Sequence, residues 1–257
     1  MSCSESPRTS YNAAPYVWSV VEDILSNSSE IRKTLLQVIH GAGLLHHSYV
    51  IYYAANVFVN APDIDDQLIR DVKRFHSCYF SEWNFTIQTI YLIICLMENT
   101  AGHKLKAYTR TALKRLKDFI FTTMIFPFSM FVSSLFWGLY MVDRELVLPQ
   151  SFEQVAPQWI NYSVHTVTFL LMLVDLLLER KNLHRQFPSL TTLYLFCVAY
   201  DVTLISVSFL YDTALYPVLN LLSNEFQLLL VLLSCNISIL GFFHFGANYL
   251  FVREKQV

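Results

Sequence analysis

The amino-acid sequence predicts an all-α polytopic membrane protein, a bundle of six transmembrane helices. Hydrophobic residues make up 54% of the 257 residues and charged residues only 15%, which is more apolar surface than a soluble core can hide. A helix needs about twenty residues to cross about 30 Å of hydrocarbon. Six apolar stretches of that length run at about 36–59, 79–98, 118–142, 160–178, 190–211 and 226–251. In lipid each stretch must satisfy its own backbone hydrogen bonds, so helices are expected.

Positive charge in the connections predicts the orientation. The connections after the second and fourth stretches are the richest in basic residues, which are Lys104, Lys106, Arg110, Lys114, Arg115 and Lys117, and then Arg180, Lys181 and Arg185. These connections should be cytoplasmic, and both termini should then be cytoplasmic too. We expect a cytoplasmic segment over residues 1–35, a six-helix transmembrane domain over 36–251 and a cytoplasmic tail over 252–257. The expected location is the endoplasmic reticulum, another endomembrane or the plasma membrane.

Several classes of function are disfavoured by composition. The net charge is −2 and the basic residues flank the apolar stretches, so no nucleic-acid partner is expected. The five cysteines are odd in number and mostly lie in apolar stretches, which argues against a disulfide framework. The sequence has no CxxC pair, phosphate-binding glycine loop or HExxH motif, and the neighbouring His46 and His47 point to different helix faces. We therefore expect no cofactor and no metal.

Two polar stripes mark the second and fourth apolar stretches. Residues three, four and seven apart share one face of a helix. The stripes are Ser81, Asn84 and Gln88 on the second stretch, and Asn161, His165 and Thr168 on the fourth. Polar side chains in hydrocarbon are costly unless they find partners, so both stripes should turn inward and meet. Because the two stretches run in the same direction, Ser81 and His165 should lie near the same membrane face.

A hydroxyl beside an imidazole is the pattern of a nucleophile and its base. A serine hydroxyl is a weak nucleophile until a base takes its proton, and histidine is the commonest base. We predict Ser81 as the nucleophile and His165 as base and then acid. The candidates to orient the imidazole are Asn161, one turn before His165, and Asp201, near the middle of the fifth stretch, and Asn161 is preferred. Asn84 or a backbone amide is the candidate oxyanion donor.

Plainer interpretations of the same residues stay open. Ser81 near a helix start is an ordinary N-cap candidate, and His165 alone can bridge two helices through a backbone carbonyl. The acidic residues within or beside the apolar stretches, which are Glu98, Asp175 and Asp201, can pair inside the bundle or form the relay of a small-solute transporter. The basic run 103–117 is either a topology signal or a helix lying against anionic headgroups.

Two blocks of the sequence resemble a known family. The stretch from Tyr79 to Gln88 is similar to a Tyr-Leu-Thr-x-Trp-Asn-x-x-x-Gln segment, and the block from Phe136 to Thr166, with Asp-Arg-Glu at 143–145, is similar to its most specific motif. Both belong to the androgen-induced and androgen-dependent TFPI-regulating protein family of multipass membrane proteins. The resemblance extends over about residues 40–250.

The resemblance implies an activity and two of its residues. Members of this family hydrolyse fatty acid esters of hydroxy fatty acids inside the membrane, with a threonine and a histidine. The histidine corresponds to His165, whereas Ser81 stands in place of the threonine; serine keeps the hydroxyl and lacks the methyl group. Asp201 stands where the family has an apolar residue.

The expected function is therefore a membrane-embedded hydrolase of lipid esters, with a lipid substrate entering laterally from the bilayer. The sequence identifies no protein partner. The alternative is a non-catalytic multipass regulator or scaffold that has drifted from the threonine-dependent family.

Overall fold

The computed structural model describes residues 29–60, 67–101, 104–154, 156–183, 186–222 and 225–253. The predicted cytoplasmic segment up to residue 28, the acidic Asp63, Asp65 and Asp66, and the final residues of the tail lie outside the described residues.

Long helices build nearly all of the described structure. Helix α1 is Ser29–Asn60, α2 is Gln67–Phe75 and α3 is Phe80–Ala101. Helix α4, Ala107–Ile120, continues through a π-helical turn, Phe121–Ile125, into α5, Phe126–Val142. Helix α6, Gln158–Tyr162, continues through a second π-helical turn, Ser163–Val167, into α7, Thr168–Leu178. Helix α8 is Gln186–Tyr211, and α9, Glu225–Phe245, ends in a third π-helical turn, Gly246–Leu250.

Short elements complete the connections. Single 3₁₀ turns cover His76–Cys78, Arg144–Leu146, Gln150–Gln154 and Pro217–Leu221. Two short parallel strands, β1 at Asn182–Leu183 and β2 at Val252–Arg253, pair beside the end of α7.

The helices alternate in direction across the bundle. Phe85 of α3 packs with Val164 of the α6–α7 rod and with Val50 of α1, while Asp175 near the end of α7 bonds to His40 near the start of α1. We call the end at which α3 and α6 begin the entry end, and the end at which α3 and α7 finish the exit end. The described chain starts and finishes at the exit end.

Within the described ranges, four helical rods are long and apolar enough to cross a membrane, which supports the predicted class of polytopic all-α membrane protein. They span Ala107–Val142, Gln158–Leu178, Ser189–Tyr211 and Glu225–Leu250. Their outer faces carry large exposed apolar side chains, such as Phe209 with 86% of its surface exposed and Leu229 with 61%, and contiguous apolar surface of this kind suits hydrocarbon. The six-span topology, with cytoplasmic termini, stays a prediction.

Aromatic packing fills the core between α3, α5 and α8. The ring of Phe80 makes edge-to-face contacts with Phe128, Phe131 and Tyr200 at centroid distances of 5.0, 5.7 and 4.7 Å. Such pairs contribute about 0.5–1.5 kcal/mol each beyond the burial of their area. These ring contacts of Phe80 therefore hold the start of α3, which carries Ser81, against α5 and α8.

Candidate active site in the helical bundle

The π-helical turn Ser163–Val167 arranges the candidate site. Its residues face three neighbours: Ser163 hydrogen-bonds to α1, Val164 packs on Phe85 of α3, and His165 stacks on Phe136 of α5. A π-helical turn widens the helix locally and is frequent at functional sites. One short turn thus presents a hydroxyl and an imidazole to two different helices.

The imidazole of His165 is held by aromatic contact. It lies parallel to the Phe136 ring at a centroid distance of 3.7 Å and an interplanar angle of 4°. The neighbouring Trp137 donates its indole N–H to the Thr166 hydroxyl at 3.1 Å, which fixes α5 against the turn. Nδ1 of His165 is buried and has no hydrogen-bond partner among the described residues. The bridge to a backbone carbonyl through Nδ1 is therefore not found.

Ser81 lies inside the first turn of α3. The helix begins at Phe80, and its amide donates to the hydroxyls of Tyr216 at 2.9 Å and Tyr200 at 3.2 Å. The carbonyl of Tyr79 accepts from the amides of residues 82 and 83. The N-cap interpretation of Ser81 is therefore wrong, because the helix starts one residue earlier and tyrosine hydroxyls cap it.

By helix periodicity, Ser81 lies on the face of α3 that packs against the π-helical turn. Ser81 precedes Phe85 by four residues, so the two share one face of α3, and Phe85 packs on Val164. Four residues correspond to about 6 Å along the axis, which puts the half-buried Ser81 nearer the entry end than Val164. Among the described residues, no hydrogen bond joins Ser81 to His165.

Asn84 and Asn161 place side-chain amides in this region, and the amide nitrogen atoms lack hydrogen-bond partners among the described residues. Asn84, with 1% of its surface exposed, lies 3.5 Å from the Ser129 hydroxyl through Oδ1, while Gln88 donates to the same hydroxyl at 2.7 Å. The polar stripe of α3 therefore meets α5. The Nδ2 atoms of Asn84 and Asn161 are buried and without a hydrogen-bond partner in the described structure. Asn161 does not bond to Nδ1 of His165, which is also unpartnered.

The adjacent histidines of α1, His46 and His47, contact different neighbours. His46 bonds through Nε2 to the Ser163 hydroxyl at 3.1 Å. His47 donates Nδ1–H to the Gly43 carbonyl at 2.9 Å and stacks on Phe85 at 4.1 Å. In the described ranges no three His, Cys, Asp or Glu side chains come close enough together to hold a metal ion.

A buried ionic cluster occupies the exit end. Asp175 pairs with Lys181 at 3.0 Å and with His40 at 3.0 Å, and it accepts a hydrogen bond from Tyr91. Glu179 joins two buried ammonium groups, Lys181 at 2.9 Å and Lys117 at 2.8 Å. Glu98 completes the cluster by pairing with Lys117 at 2.5 Å, and Asp201 accepts from Asn236 at 2.6 Å. The predicted pairing of these three acidic residues inside the bundle is confirmed.

Charge pairing outside the apolar rods shifts pKa values in opposite directions. Although burial favours the neutral acid, the ammonium groups of Lys181 and Lys117 lower the pKa of Glu179 to about 2. Although burial favours the neutral amine, the carboxylates of Asp175 and Glu179 raise the pKa of Lys181 above its ordinary value. Glu179 and Lys181 are therefore both charged at neutral pH, and each stabilises the charge of the other.

The sequence hypothesis missed the cationic members of this cluster. The sequence predicts Lys117 and Lys181 as solvated charges of cytoplasmic connections, yet their side chains are only 2% and 0% exposed. Lys117 directly precedes the apolar stretch 118–142, and Lys181 follows the stretch 160–178. This closeness to apolar residues is the only feature of the sequence that favours burial of the two lysines.

A small cavity lies between the ionic cluster and the polar stripe of α3. It measures about 20 Å³ and is lined by His40, Gln88, Tyr91 and Asp175 together with apolar side chains. That volume is enough for one water molecule.

These features define a class: a polytopic α-helical membrane protein in which an imidazole and two amides place buried, unpartnered nitrogen atoms near one end of the described bundle. The family model described as FAR-17a/AIG1-like protein matches residues 37–248. The chain belongs to this family, as the sequence resemblance predicted.

Curated relatives agree with this assignment. The chain is 28% identical to the human androgen-dependent TFPI-regulating protein over 195 residues, 74% of this chain and 81% of that protein. It is 28% identical to the human androgen-induced gene 1 protein over 162 residues, 56% of this chain and 66% of that protein. It is 31% identical to the androgen-dependent TFPI-regulating protein of Mesocricetus auratus over 137 residues, 50% of this chain and 56% of that protein. No solved structure matches the chain.

Proposed function

We propose that this protein is a membrane-embedded carboxylic ester hydrolase that cleaves fatty acid esters of hydroxy fatty acids. Ser81 is the nucleophile and His165 is base and then acid. The observation that carries the proposal is that three buried polar atoms of the predicted site residues have no hydrogen-bond partner among the described residues: Nδ1 of His165 and the Nδ2 atoms of Asn84 and Asn161. Each unsatisfied group costs about 1–3 kcal/mol, and groups left unsatisfied in this way suit a bound substrate.

The chemistry follows from these groups. The Ser81 oxygen attacks the ester carbonyl while its proton moves to His165, and the Asn84 amide donates to the oxyanion that forms. His165 then returns the proton to the leaving alkoxide, which departs as the hydroxy fatty acid. Water, activated by the same imidazole, cleaves the acyl-serine and releases the second acid.

Asn161 is assigned the orienting role. It lies one helical turn before His165, so its side-chain oxygen can accept from Nδ1–H when a substrate draws the groups together. That bond would leave Nε2 free to act as the base. Hydrogen bonds of catalytic groups are often long in the absence of substrate.

The location suits a lipid ester. Exposed apolar faces let acyl chains approach from hydrocarbon, and Ser81 lies in the first turn of α3, at the entry end. A branched ester can therefore keep its chains in the bilayer while its carbonyl reaches the hydroxyl.

Hydrolysis by matched variants tests the proposal. Membranes that contain wild type, Ser81→Ala or His165→Ala are incubated with a fatty acid ester of a hydroxy fatty acid, and released acids are quantified. Loss of the nucleophile or the base should lower the rate by at least about 10²-fold, whereas Ser81→Thr should retain activity. Ser234→Ala is the matched control, because its hydroxyl bonds to the Leu230 carbonyl of its own helix. Equal rates in all variants would rule out Ser81 and His165 as the catalytic pair.

A non-catalytic regulator or scaffold is the second candidate. Two observations favour it: serine replaces the threonine that the resemblance leads one to expect, and Ser81 and His165 are not hydrogen-bonded among the described residues. The same assay separates the two candidates, since a scaffold would give no hydrolysis above that of membranes without the protein.

A further inference from the structure

A second hydroxyl–imidazole pair lies on the other side of the same π-helical turn. Nε2 of His46 is 3.1 Å from the Ser163 hydroxyl oxygen. The two residues are 117 positions apart in sequence and belong to α1 and to the turn between α6 and α7. A distance of about 2.6–3.2 Å is the geometry expected of a nucleophile and its general base.

The pair is separate from the site proposed above. Ser163 bonds to α1, whereas His165, two residues on, stacks on Phe136 of α5. Two residues of a wide helical turn point in nearly opposite directions. A ligand held at one pair therefore does not occupy the other.

The imidazole of His46 is arranged to accept a proton. Its Nδ1 atom is buried and has no hydrogen-bond partner among the described residues. When Nδ1 carries the ring proton, Nε2 is the acceptor that faces the Ser163 hydroxyl. The ring is steadied by an edge contact with His47 at a centroid distance of 5.5 Å.

The surroundings define the class of substrate. The seam between α1 and α6 is lined by Val50, Val164 and Ile160, and at the entry end Trp159 packs between Tyr49 and Tyr53 at 5.6 and 4.9 Å. Tryptophan and tyrosine belts mark the boundary between headgroups and hydrocarbon. Ser163 lies five residues into the rod from Gln158, about 7–8 Å along its axis, which is on the hydrocarbon side of this aromatic group.

The outer face of this seam carries exposed apolar side chains. Tyr49 is 56% exposed and Leu45, one position before His46, is 74% exposed. Ser163 itself is only 4% exposed, so its hydroxyl is shielded from bulk water. A long acyl chain can reach it from the bilayer without crossing an aqueous phase.

We propose that Ser163 and His46 form a second ester-cleaving pair, which accepts a long-chain acyl ester from the lipid-facing seam between α1 and α6. The Ser163 oxygen bonds to the carbonyl carbon as its proton moves to Nε2 of His46. The carbon–oxygen bond to the alcohol then breaks, and the alcohol leaves with that proton. Water, deprotonated by His46, cleaves the acyl-serine to the free acid.

Covalent labelling distinguishes this pair from Ser81. The full-length protein in membranes is treated with a long-chain alkyl fluorophosphonate, which bonds to an activated serine oxygen with loss of fluoride, and the labelled peptide is identified by mass spectrometry. We expect a label on Ser163 that disappears in Ser163→Ala and persists in Ser81→Ala. His46→Gln should slow labelling of Ser163 by at least about 10²-fold.

Fold integrity is monitored separately. The Ser163→Thr variant keeps the hydroxyl and should still be labelled, and Ser234→Ala should be labelled as wild type. A purely structural hydrogen bond would change the melting temperature in Ser163→Ala but would give no label on Ser163. Absence of label at Ser163, or an unchanged labelling rate in His46→Gln, would overturn the proposal, whatever the result at Ser81.

Discussion

Replacement of Lys181 by methionine is predicted to destabilise the protein strongly. The ammonium group contacts Asp175 at 3.0 Å, Glu179 at 2.9 Å and the Tyr91 hydroxyl at 2.7 Å, and the lysine side chain is 0% exposed. After the substitution Glu179 keeps Lys117 at 2.8 Å, but Asp175 loses its cation inside the bundle. Removal of one partner of a buried ion pair costs about 3–5 kcal/mol.

The assay uses the protein's own thiols. Cys95 and Cys197 are 1% and 4% exposed, so a thiol-reactive fluorogenic dye reports their exposure during a temperature ramp of the solubilised protein. At about 2–4 °C per kcal/mol for a chain of this size, Lys181→Met should melt about 6–20 °C below wild type. The matched control is Lys33→Met, whose ion pair with Glu30 is 65% and 82% exposed and which should shift melting little.

A double variant gives the sharper test. Asp175→Asn removes the charge that Lys181→Met leaves unpaired, so the two substitutions together should cost at least about 0.5 kcal/mol less than the sum of their separate costs. Strict additivity, or a Lys181→Met melting temperature equal to that of wild type, would refute the account of the cluster.

Three further predictions concern stability. The folded protein lowers the pKa of Glu179 from 4.5 to about 2. The stabilisation that the ionised carboxylate gives to the fold is therefore complete above pH 4.5 and is lost as the pH falls through about 2. Glu179→Gln should flatten the fall in melting temperature between pH 5 and pH 3. Gly246→Ala should lower the free energy of unfolding by about 1–3 kcal/mol, because the new Cβ would lie 2.6–2.9 Å from two phenyl rings. The control is Gly241→Ala, whose Cβ would meet nothing within 4 Å and which should be neutral or stabilising in the same melting assay. Tyr216→Phe removes a hydroxyl that accepts from the Phe80 amide at 2.9 Å and should cost about 0.5–1.5 kcal/mol by dye melting; a variant as stable as wild type would contradict the capping role.

Much of the helical framework could be predicted because apolar runs of membrane length leave few alternatives. The predicted stretch 118–142 is the apolar part of a rod that begins at Ala107. The sequence placed this earlier part in a connection because it is basic. Its Lys117 is buried only because Glu98 and Glu179, distant in sequence, meet it.

Helix periodicity proposes residues for the candidate site but does not predict the geometry of that site. Helix periodicity places Ser81 and Asn84 on α3 and His165 on the α6–α7 rod, but it assumes a regular helix. The π-helical turn Ser163–Val167 breaks that regularity and directs Ser163 towards α1. The bond between Ser163 and His46 therefore had no signature in the spacing of either segment.

Partners of the polar stripes also depend on tertiary packing. The stripe of α3 was expected to meet the stripe of the fourth stretch, whereas Asn84 and Gln88 meet Ser129 of α5. Thr168 turns back to the Val164 carbonyl of its own helix at 2.6 Å. The position of Ser129 in the apolar run 118–142 gave no indication that it would receive these side chains.

The most direct test of the proposed activity is capture of the acyl-enzyme. The protein is mixed with a fatty acid ester of a hydroxy fatty acid, quenched with acid within seconds, and digested for mass spectrometry. We predict a fatty acyl group on Ser81 that is absent in Ser81→Ala and does not form in His165→Ala. Hydrolysis that continues at the wild-type rate in Ser81→Ala would contradict the assignment of the nucleophile.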